Sequence, residues 1–207
     1  MESSNSEPQK FDDFTEKGKN QISEICRKVA RVFSLKGFKT ATLADASRVA
    51  GISKGGIYHY FSTKEELLFV ILCRYMDRTL QELKDRLNTT SDSRRKIRFF
   101  VEHHIAHYRD NLYESRLILH ESQNLPKDYR EIMKNKQNEY LGILVSEIAH
   151  IVEGCEDNPK NAKIIALSLM GMCNWPYTWF DPKGEFTALE LAEEIYRIFI
   201  GDLRFRE

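Results

Sequence analysis

Two short amphipathic segments joined by a tight turn constrain the fold of this chain more than any other feature. Thr42 can cap the first segment, and Asp45 follows three residues later, as in a capping box. Ser53 can cap the second segment, which covers residues 54–61. The residues AGIS connect the two, and this arrangement is typical of a helix-turn-helix. The positions predicted to face inward are Leu43, Ala46, Val49, Ala50, Ile57, Tyr60 and Phe61.

The second of these helices leaves a polar face opposite its apolar one. The residues on that face are Lys54, Gly55, Tyr58 and His59. Ammonium, hydroxyl and imidazole groups can contact phosphates and base edges, and a glycine allows the backbone to approach a phosphate closely. This face predicts DNA recognition, with an ordinary exposed surface as the alternative for Tyr58 and His59.

Charge is distributed unevenly along the chain. The 207 residues contain 31 Lys and Arg and 31 Asp and Glu, so the formal net charge is zero. Residues 17–64 nevertheless hold ten basic and two acidic residues, which gives this segment +8 and the remainder −8. A basic segment on an acidic body indicates a surface for a polyanion, although a solvated helical surface would also account for it.

Apolar residues recur at helical spacing over nearly all of the remaining chain, which predicts an all-α fold. The predicted helices cover residues 17–36, 63–87, 93–108, a stretch carrying Leu117, Ile118, Glu121 and Leu125, then 126–152, 159–175 and 187–203. We predict a disordered leader at residues 1–10, a three-helix DNA-binding domain at 11–64 and a helical C-terminal domain at 65–207.

Several classes of protein are disfavoured by what the sequence lacks. It has no apolar run of about 18 residues and no signal-like leader, so we expect a cytoplasmic protein without a membrane partner. Its four cysteines form no CxxC pair, which argues against a zinc module or a disulfide framework. His103 and His107 have the i, i+4 spacing of metal ligands, but such a pair alone is weak evidence, and we predict no metal site.

Residues 37–68, GFKTATLADASRVAGISKGGIYHYFSTKEELL, resemble the DNA-binding motif of TetR-family transcriptional regulators. The departure from the family pattern is Ala46-Ser47, where an isoleucine-alanine pair is usual. The resemblance implies that the DNA-binding residues are Thr42, Ser53, Lys54, Gly55, Tyr58, His59, Tyr60 and Lys64. Of these, Thr42, Tyr60 and Lys64 would contact phosphates, and the exposed face of the second helix would lie in the major groove.

The same resemblance implies a homodimer that binds an inverted repeat, because the last two helices of TetR-like proteins pair with their copies in a second subunit. A ligand that fits only one separation of the two DNA-binding domains, here called the heads (residues 11–64), would then release the DNA. The long helix over residues 63–87 would connect each head to the C-terminal domain, here called the body.

Residues 120–200 resemble the C-terminal domain of a TetR subgroup that senses acyl-CoA and other CoA thioesters. The resemblance lies in the segment NWPYTWFDPKG and in Leu125-Pro126 with Tyr129 and Ile132. It implies an acyl-CoA effector and no bound cofactor, with a hydrophobic drug or another metabolite as the alternative effector. The predicted ligand-binding residues are His104, Tyr108, His120, Trp175 and Trp179.

Three alternatives remain open in the body of the protein. Trp175 and Trp179 would equally suit aromatic packing at a dimer interface. The cations for coenzyme A phosphates would come from Arg109, Arg116, Lys127, Arg130 and Lys134, without indication of which converge. Two other functions compete with that of a ligand-controlled repressor. One is a helical enzyme that uses His104, His120 and Glu121, and the other is an activator or architectural DNA binder without an effector. We predict a repressor with no catalytic residues.

Overall fold

The computed structural model describes residues 15–201 and 203–205. The leader predicted at residues 1–10 lies outside the described residues. Helices account for nearly all regular structure in the part of the chain that is described, and Val152 and Phe205 form one isolated antiparallel bridge there. The predicted all-α fold is confirmed. The helices are α1 (Glu16–Lys36), α2 (Leu43–Ala50), α3 (Lys54–Tyr60), α4 (Lys64–Leu87), α5 (Ser93–Asp110), α6 (Leu112–His120), α7 (Lys127–Ile151), α8 (Pro159–Asn174) and α9 (Ala188–Gly201).

The first three helices form a small unit around a core of aromatic and aliphatic side chains. Phe33 of α1 packs edge-on against Phe38, with ring centroids 5.2 Å apart, and Ile57 and Phe61 close the core from the side of α3. Gly37, which ends α1, has a φ of +83°, in the region that favours glycine. Helix α1 also packs against α4 and α6, so the unit is joined to the body along one side of α1.

Helix α4 links this unit to the body. Thr63 caps it by accepting a hydrogen bond from the Glu66 amide at 3.0 Å, and its apolar face is buried from Leu67 to Leu87. Its 24 residues extend about 36 Å at 1.5 Å per residue. In the body, α7 packs on α4, α5 and α8, and α9 lies against α5.

Most helix ends agree with the sequence prediction to within two residues, and at two of them the chain continues as a 3₁₀ turn. The stretch before Pro126 was expected to be helical through Leu125, but α6 ends at His120 and a 3₁₀ turn covers Ser122–Asn124. There the Ser122 hydroxyl donates to the Ile118 carbonyl at 2.7 Å, competing with the backbone. Helix α8 ends at Asn174, one residue early, and continues as a 3₁₀ turn over Trp175–Thr178, because Pro176 has no N–H to donate.

Candidate DNA-binding surface and ligand cavity

The start of α2 is fixed by a reciprocal cap that also connects it to α1. The Thr42 hydroxyl accepts from the Asp45 amide at 3.1 Å, and the Asp45 carboxylate accepts from the Thr42 amide at 3.0 Å. The Lys36 ammonium lies 2.6 Å from the same carboxylate. The hydrogen bonds from Lys36 and Thr42 lower the pKa of Asp45 to about 2. This carboxylate therefore stays ionised and holds α2 at the end of α1.

The turn between α2 and α3 aims α3 outward. Gly51 adopts the left-handed conformation with φ +73°, and the buried Ser47 hydroxyl donates to the Ile52 carbonyl at 2.8 Å. Ser53 then caps α3 by accepting from the Gly56 amide at 3.0 Å. Ile57 is completely buried, which turns the opposite face of α3 to solvent. The exposed residues on that face are Lys54, Gly55, Tyr58 and His59, as the periodicity predicted.

The three residues expected at phosphates have partners within the protein. The Lys64 ammonium donates to the carbonyls of Phe38, Lys39 and Ala41 at 3.0–3.2 Å and lies over the Phe38 ring. Thr42 uses its hydroxyl in the α2 cap, and the half-buried Tyr60 ring lies 5.0 Å from that of His59. Lys64 thus holds the loop after α1 in place, and the phosphate contacts of all three residues stay predictions.

A small cavity of about 140 Å³ lies inside the body, between α4, α5, α6, α7 and α8. His104 lines it and spans two tyrosines, with Nδ1 at 3.3 Å from the Tyr140 hydroxyl and Nε2 at 3.2 Å from the Tyr108 hydroxyl. The Tyr108 hydroxyl also donates to the Asn174 carbonyl at 3.3 Å. Burial lowers the pKa of His104 to about 4, so the ring is neutral at pH 7. The cavity combines apolar walls with a polar, uncharged end.

A larger groove of about 1510 Å³ opens between the first three helices and the body. Its walls come mainly from α1, α4, the end of α5 and the start of α6, and they carry seven Lys or Arg residues against four Asp or Glu residues. The basic residues are Arg27, Lys28, Arg31, Lys36, Arg74, Arg78 and Arg109. Burial raises the pKa of Glu114 in the groove, which favours its neutral form. The groove therefore has the charge of a binding site for an anion.

Tyr75 and Tyr108 belong to both spaces, lining the cavity on one side and the groove on the other. The Tyr75 hydroxyl is hydrogen-bonded to the buried Ser115 hydroxyl at 2.9 Å. An apolar pocket and a cationic groove thus share one wall. A ligand with an apolar end and an anionic end would fit this combination.

The structure brings together part of the predicted ligand site. His104 and Tyr108 line the cavity, and Arg109 is the one of the five predicted cations that lines the groove. His120 is exposed, with its ring 4.9 Å from that of Tyr177, and lines neither space. Trp175 and Trp179 are also outside both, with 66% and 48% of their surface exposed, because the 3₁₀ turn after α8 carries them away from the interior.

The outer faces of α8 and α9 are unusually apolar. Each helix buries one face, formed by Ala162, Ala166, Leu169 and Cys173 in α8 and by Ala192, Ile195 and Phe199 in α9. Large apolar side chains are exposed elsewhere on both helices: Ile164 and Leu167 lie on the opposite face of α8, Leu189 and Ile198 lie on the two flanks of the buried face of α9, and Trp175 follows α8. Exposed apolar side chains of this size mark a candidate site for another protein surface.

No helix among the described residues is both long and apolar enough to cross a lipid bilayer. An exposed helix-turn-helix on a helical body is the architecture of a DNA-binding regulator.

The comparisons with known proteins place this regulator in a family. Residues 25–71 match the sequence profile described as bacterial regulatory proteins, tetR family, and residues 90–203 match the profile of the tetracyclin repressor-like C-terminal domain. The chain therefore belongs to the TetR family of transcriptional regulators, as residues 37–68 indicated. Regulators of this family bind operator DNA and are not enzymes, which confirms the expectation of a regulator over a helical enzyme.

Individual relatives are distant. The HTH-type transcriptional repressor KstR2 of Mycobacterium tuberculosis is 21% identical over 189 residues, covering 87% of this chain and 91% of that protein. A TetR-family regulator from Bordetella parapertussis superposes with a TM-score of 0.81 at 24% identity, covering 88% of this chain and 95% of the other. The structure of AibR in complex with isovaleryl coenzyme A and operator DNA superposes with a TM-score of 0.77 at 24% identity, covering 86% of this chain and 97% of the AibR chain. These structural similarities show the fold.

Proposed function

We propose that this protein is a homodimeric transcriptional repressor that leaves an inverted-repeat operator when it binds a CoA thioester. The observation that carries the proposal is the shared wall of the cavity and the groove at Tyr75 and Tyr108. An acyl-CoA has an apolar acyl end and an anionic nucleotide end, joined by a flexible chain. The acyl group would occupy the cavity, and the phosphates would lie among the arginines of the groove.

The volume of the cavity favours a short acyl group over a long one. A cavity for a single water molecule has a volume of about 10–15 Å³, so the cavity of 140 Å³ holds a group of roughly ten heavy atoms. A branched or short-chain acyl group is of this size, whereas a long fatty acyl chain would have to displace side chains. The polar end formed by His104, Tyr108 and Tyr140 is uncharged, which suits a neutral thioester group. One of its hydroxyls would exchange its present hydrogen bond to donate to the thioester carbonyl.

The position of the groove provides the means of release. One wall belongs to α1, which carries the helix-turn-helix, and the other to α4 and α6 of the body. A ligand whose phosphates bind both walls would favour one orientation of the head over others, and would shift the population of dimers away from the DNA-binding spacing. AibR, which was crystallised with isovaleryl coenzyme A and operator DNA, is a structural neighbour of this chain.

The apolar faces of α8 and α9 support the homodimer. Ile164 and Leu167 on α8 and Leu189 and Ile198 on α9 are exposed in the single chain, which a dimer interface would bury. Trp175 lies at the end of this surface, which favours the interface role for it over a ligand contact.

The proposal is tested by titrating CoA thioesters against the complex of the protein with a labelled duplex from its own upstream region. We expect isovaleryl-CoA to release the duplex at micromolar concentrations, and free CoA and free isovaleric acid to be much weaker. Arg74→Gln and Arg109→Gln should reduce release while operator affinity is kept, and Arg130→Gln on α7, outside the groove, serves as the matched control. No release by short, branched or long acyl-CoA would contradict the proposal.

A hydrophobic drug or another uncharged metabolite is the second candidate effector. The lining of the cavity favours it in one respect, since Met76, Ile118 and Met170 together with the tyrosines offer an apolar surface that requires no anionic ligand. Such a ligand would use the cavity alone. Release that is insensitive to Arg74→Gln and Arg109→Gln, but abolished by filling the cavity through Ser115→Leu, would support this candidate over a CoA thioester.

A further inference from the structure

Two imidazoles and a carboxylate converge between α4 and α5, next to the cavity. His103 and His107 lie one turn apart on α5, and their Nε2 atoms are 3.4 Å from each other. Oε2 of Glu82, on α4, is 3.7 Å from Nε2 of His103. One ligand atom from each of the three residues lies within 4.8 Å of the others. Only the histidine pair was recognisable from the sequence, since Glu82 stands 21 positions before His103.

These distances match a tetrahedral metal centre. Two nitrogen ligands at the usual zinc distance of about 2.0–2.1 Å, separated by the tetrahedral angle, lie about 3.3–3.4 Å apart. The two histidines already have this separation. The Glu82 side chain is 52% exposed and can close the remaining gap by rotation. We propose that Glu82, His103 and His107 bind a zinc-class divalent transition metal ion, with a water molecule as the fourth ligand.

The hydrogen bonds around the histidines leave one tautomer arrangement. Arg78 donates to Oδ1 of Asn111 at 2.7 Å, so the Asn111 amide nitrogen donates to Nδ1 of His107 at 3.1 Å. His107 must then donate from Nε2 to Nε2 of His103, which places the proton of His103 on Nδ1. His103 therefore already has the ligating tautomer, with its Nε2 lone pair pointing into the cluster.

The same arrangement is incomplete as a purely structural network. Nδ1 of His103 is buried and has no hydrogen-bond partner among the described residues, and an N–H in that state destabilises the fold. Metal binding at Nε2 of His107 would move its proton to Nδ1, with no net release, and the Asn111 amide would turn to accept it and give up its hydrogen bond from Arg78.

The charges near the cluster permit a cation. Arg86 is paired with Glu102, and Arg78 is 3.9 Å from Glu82 at the solvent edge, where a metal ion would replace it as the partner of that carboxylate. Asp110, at the end of α5, is ion-paired with Arg109 at 2.7 Å, so Glu82 is the carboxylate available to the ion. The site would join α4, which continues into the helix-turn-helix unit, to α5, which lines the cavity.

A cobalt titration of the metal-free protein tests this site. After dialysis against a chelator, Co²⁺ should bind with one equivalent per chain and give the strong visible absorption of a tetrahedral centre, which Zn²⁺ then abolishes by displacement. We expect Glu82→Gln to weaken Co²⁺ binding about tenfold and His103→Gln or His107→Gln about a hundredfold, since each removes one ligand. Glu82 is half exposed, so its variant keeps the test valid if the buried histidine variants fail to fold.

His150→Gln and Glu131→Gln are the matched controls, since both residues are exposed and lie on α7, outside the cluster. Both variants should bind Co²⁺ as the unmodified protein does. A dissociation constant for Co²⁺ above about 100 μM, which corresponds to a binding free energy weaker than about 6 kcal/mol, would overturn the site. So would unchanged binding by Glu82→Gln, or a thiolate charge-transfer band that assigns the ion to a cysteine. The readout requires neither operator nor acyl-CoA, so its failure is distinct from failure of the proposed repressor function.

Discussion

The exposed face of α3 and the exposed faces of α8 and α9 differ in chemistry, although all three helices bury an apolar side in the same way. Helix α3 exposes Lys54, Tyr58 and His59, whereas α8 and α9 expose isoleucine and leucine. A polar and cationic surface remains stable in water until a polyanion binds, whereas an apolar surface is stabilised only by being covered. The two regions thus suit a reversible DNA contact and a permanent protein contact.

The largest effect is expected at the apolar surface. Ile164→Glu with Leu167→Glu places two charges on the outer face of α8, where 63% and 49% of these side chains are exposed in the single chain. Burying two unpaired carboxylates in an interface is strongly unfavourable, so we expect a monomer at micromolar concentration and a dimer in the unmodified protein. Sedimentation equilibrium measures the difference.

The control for this experiment is Ile132→Glu, which adds a charge at an exposed apolar residue of α7. It should remain dimeric. A doubly substituted protein that sediments as a dimer would show that α8 is not the interface.

The second effect concerns α3. Tyr58→Ala with His59→Ala removes two exposed side chains and no buried contact, so the melting temperature should stay within about 2 °C, because surface changes rarely exceed ~0.5 kcal/mol. Operator affinity should fall by about a hundredfold or more, at about 1–3 kcal/mol for each lost base contact. Fluorescence anisotropy with the labelled operator measures the affinity, and retained affinity would show that α3 does not enter the major groove of the DNA.

The third prediction separates Lys54 and Lys64, two lysines that the family motif implies at the DNA. Lys54 is exposed, whereas the Lys64 ammonium is held by three backbone carbonyls. We expect Lys54→Gln to lower the salt dependence of operator binding by about one unit of slope, the value for a lost phosphate contact. Lys64→Gln should instead lower the melting temperature with little change in slope. An equal fall in slope for both variants would establish a phosphate contact for Lys64.

The head was more predictable from sequence than the ligand site, and the reason is the range of the interactions. The cap of α2 by Thr42 and Asp45, the turn at Gly51 and the outward face of α3 all depend on residues within about ten positions, so local patterns reveal them. The cavity combines residues from five helices. Its members, including Tyr75 and Tyr140, look like ordinary apolar positions in their own helices.

The groove shows what signal was available and what was missing. Arg27 with Arg31 and Arg74 with Arg78 are two arginine pairs at i, i+4, so each pair was visible as a basic stripe on its helix. Only the packing of α1 against α4 brings the two stripes to the same groove. Trp175 and Trp179 were predicted as ligand contacts from the family resemblance, and the structure places both outside the cavity and the groove, Trp175 at the start of the 3₁₀ turn over Trp175–Thr178 and Trp179 directly after it.

The smallest effect isolates a single methyl group at Gly55. A Cβ added there would meet only the Ser53 hydroxyl oxygen, at 4.0 Å, so the fold does not require glycine. Alanine should leave stability unchanged or raise it by up to about 1 kcal/mol, since glycine is the poorer helix former. If α3 approaches DNA closely, the same methyl group lies between the helix and the duplex, and operator affinity should fall several-fold. Gly142→Ala on α7 also has open space and is the control, with a similar gain in stability and no change in affinity. Stability and affinity that rise together in Gly55→Ala would mean that the backbone of α3 stays clear of the duplex.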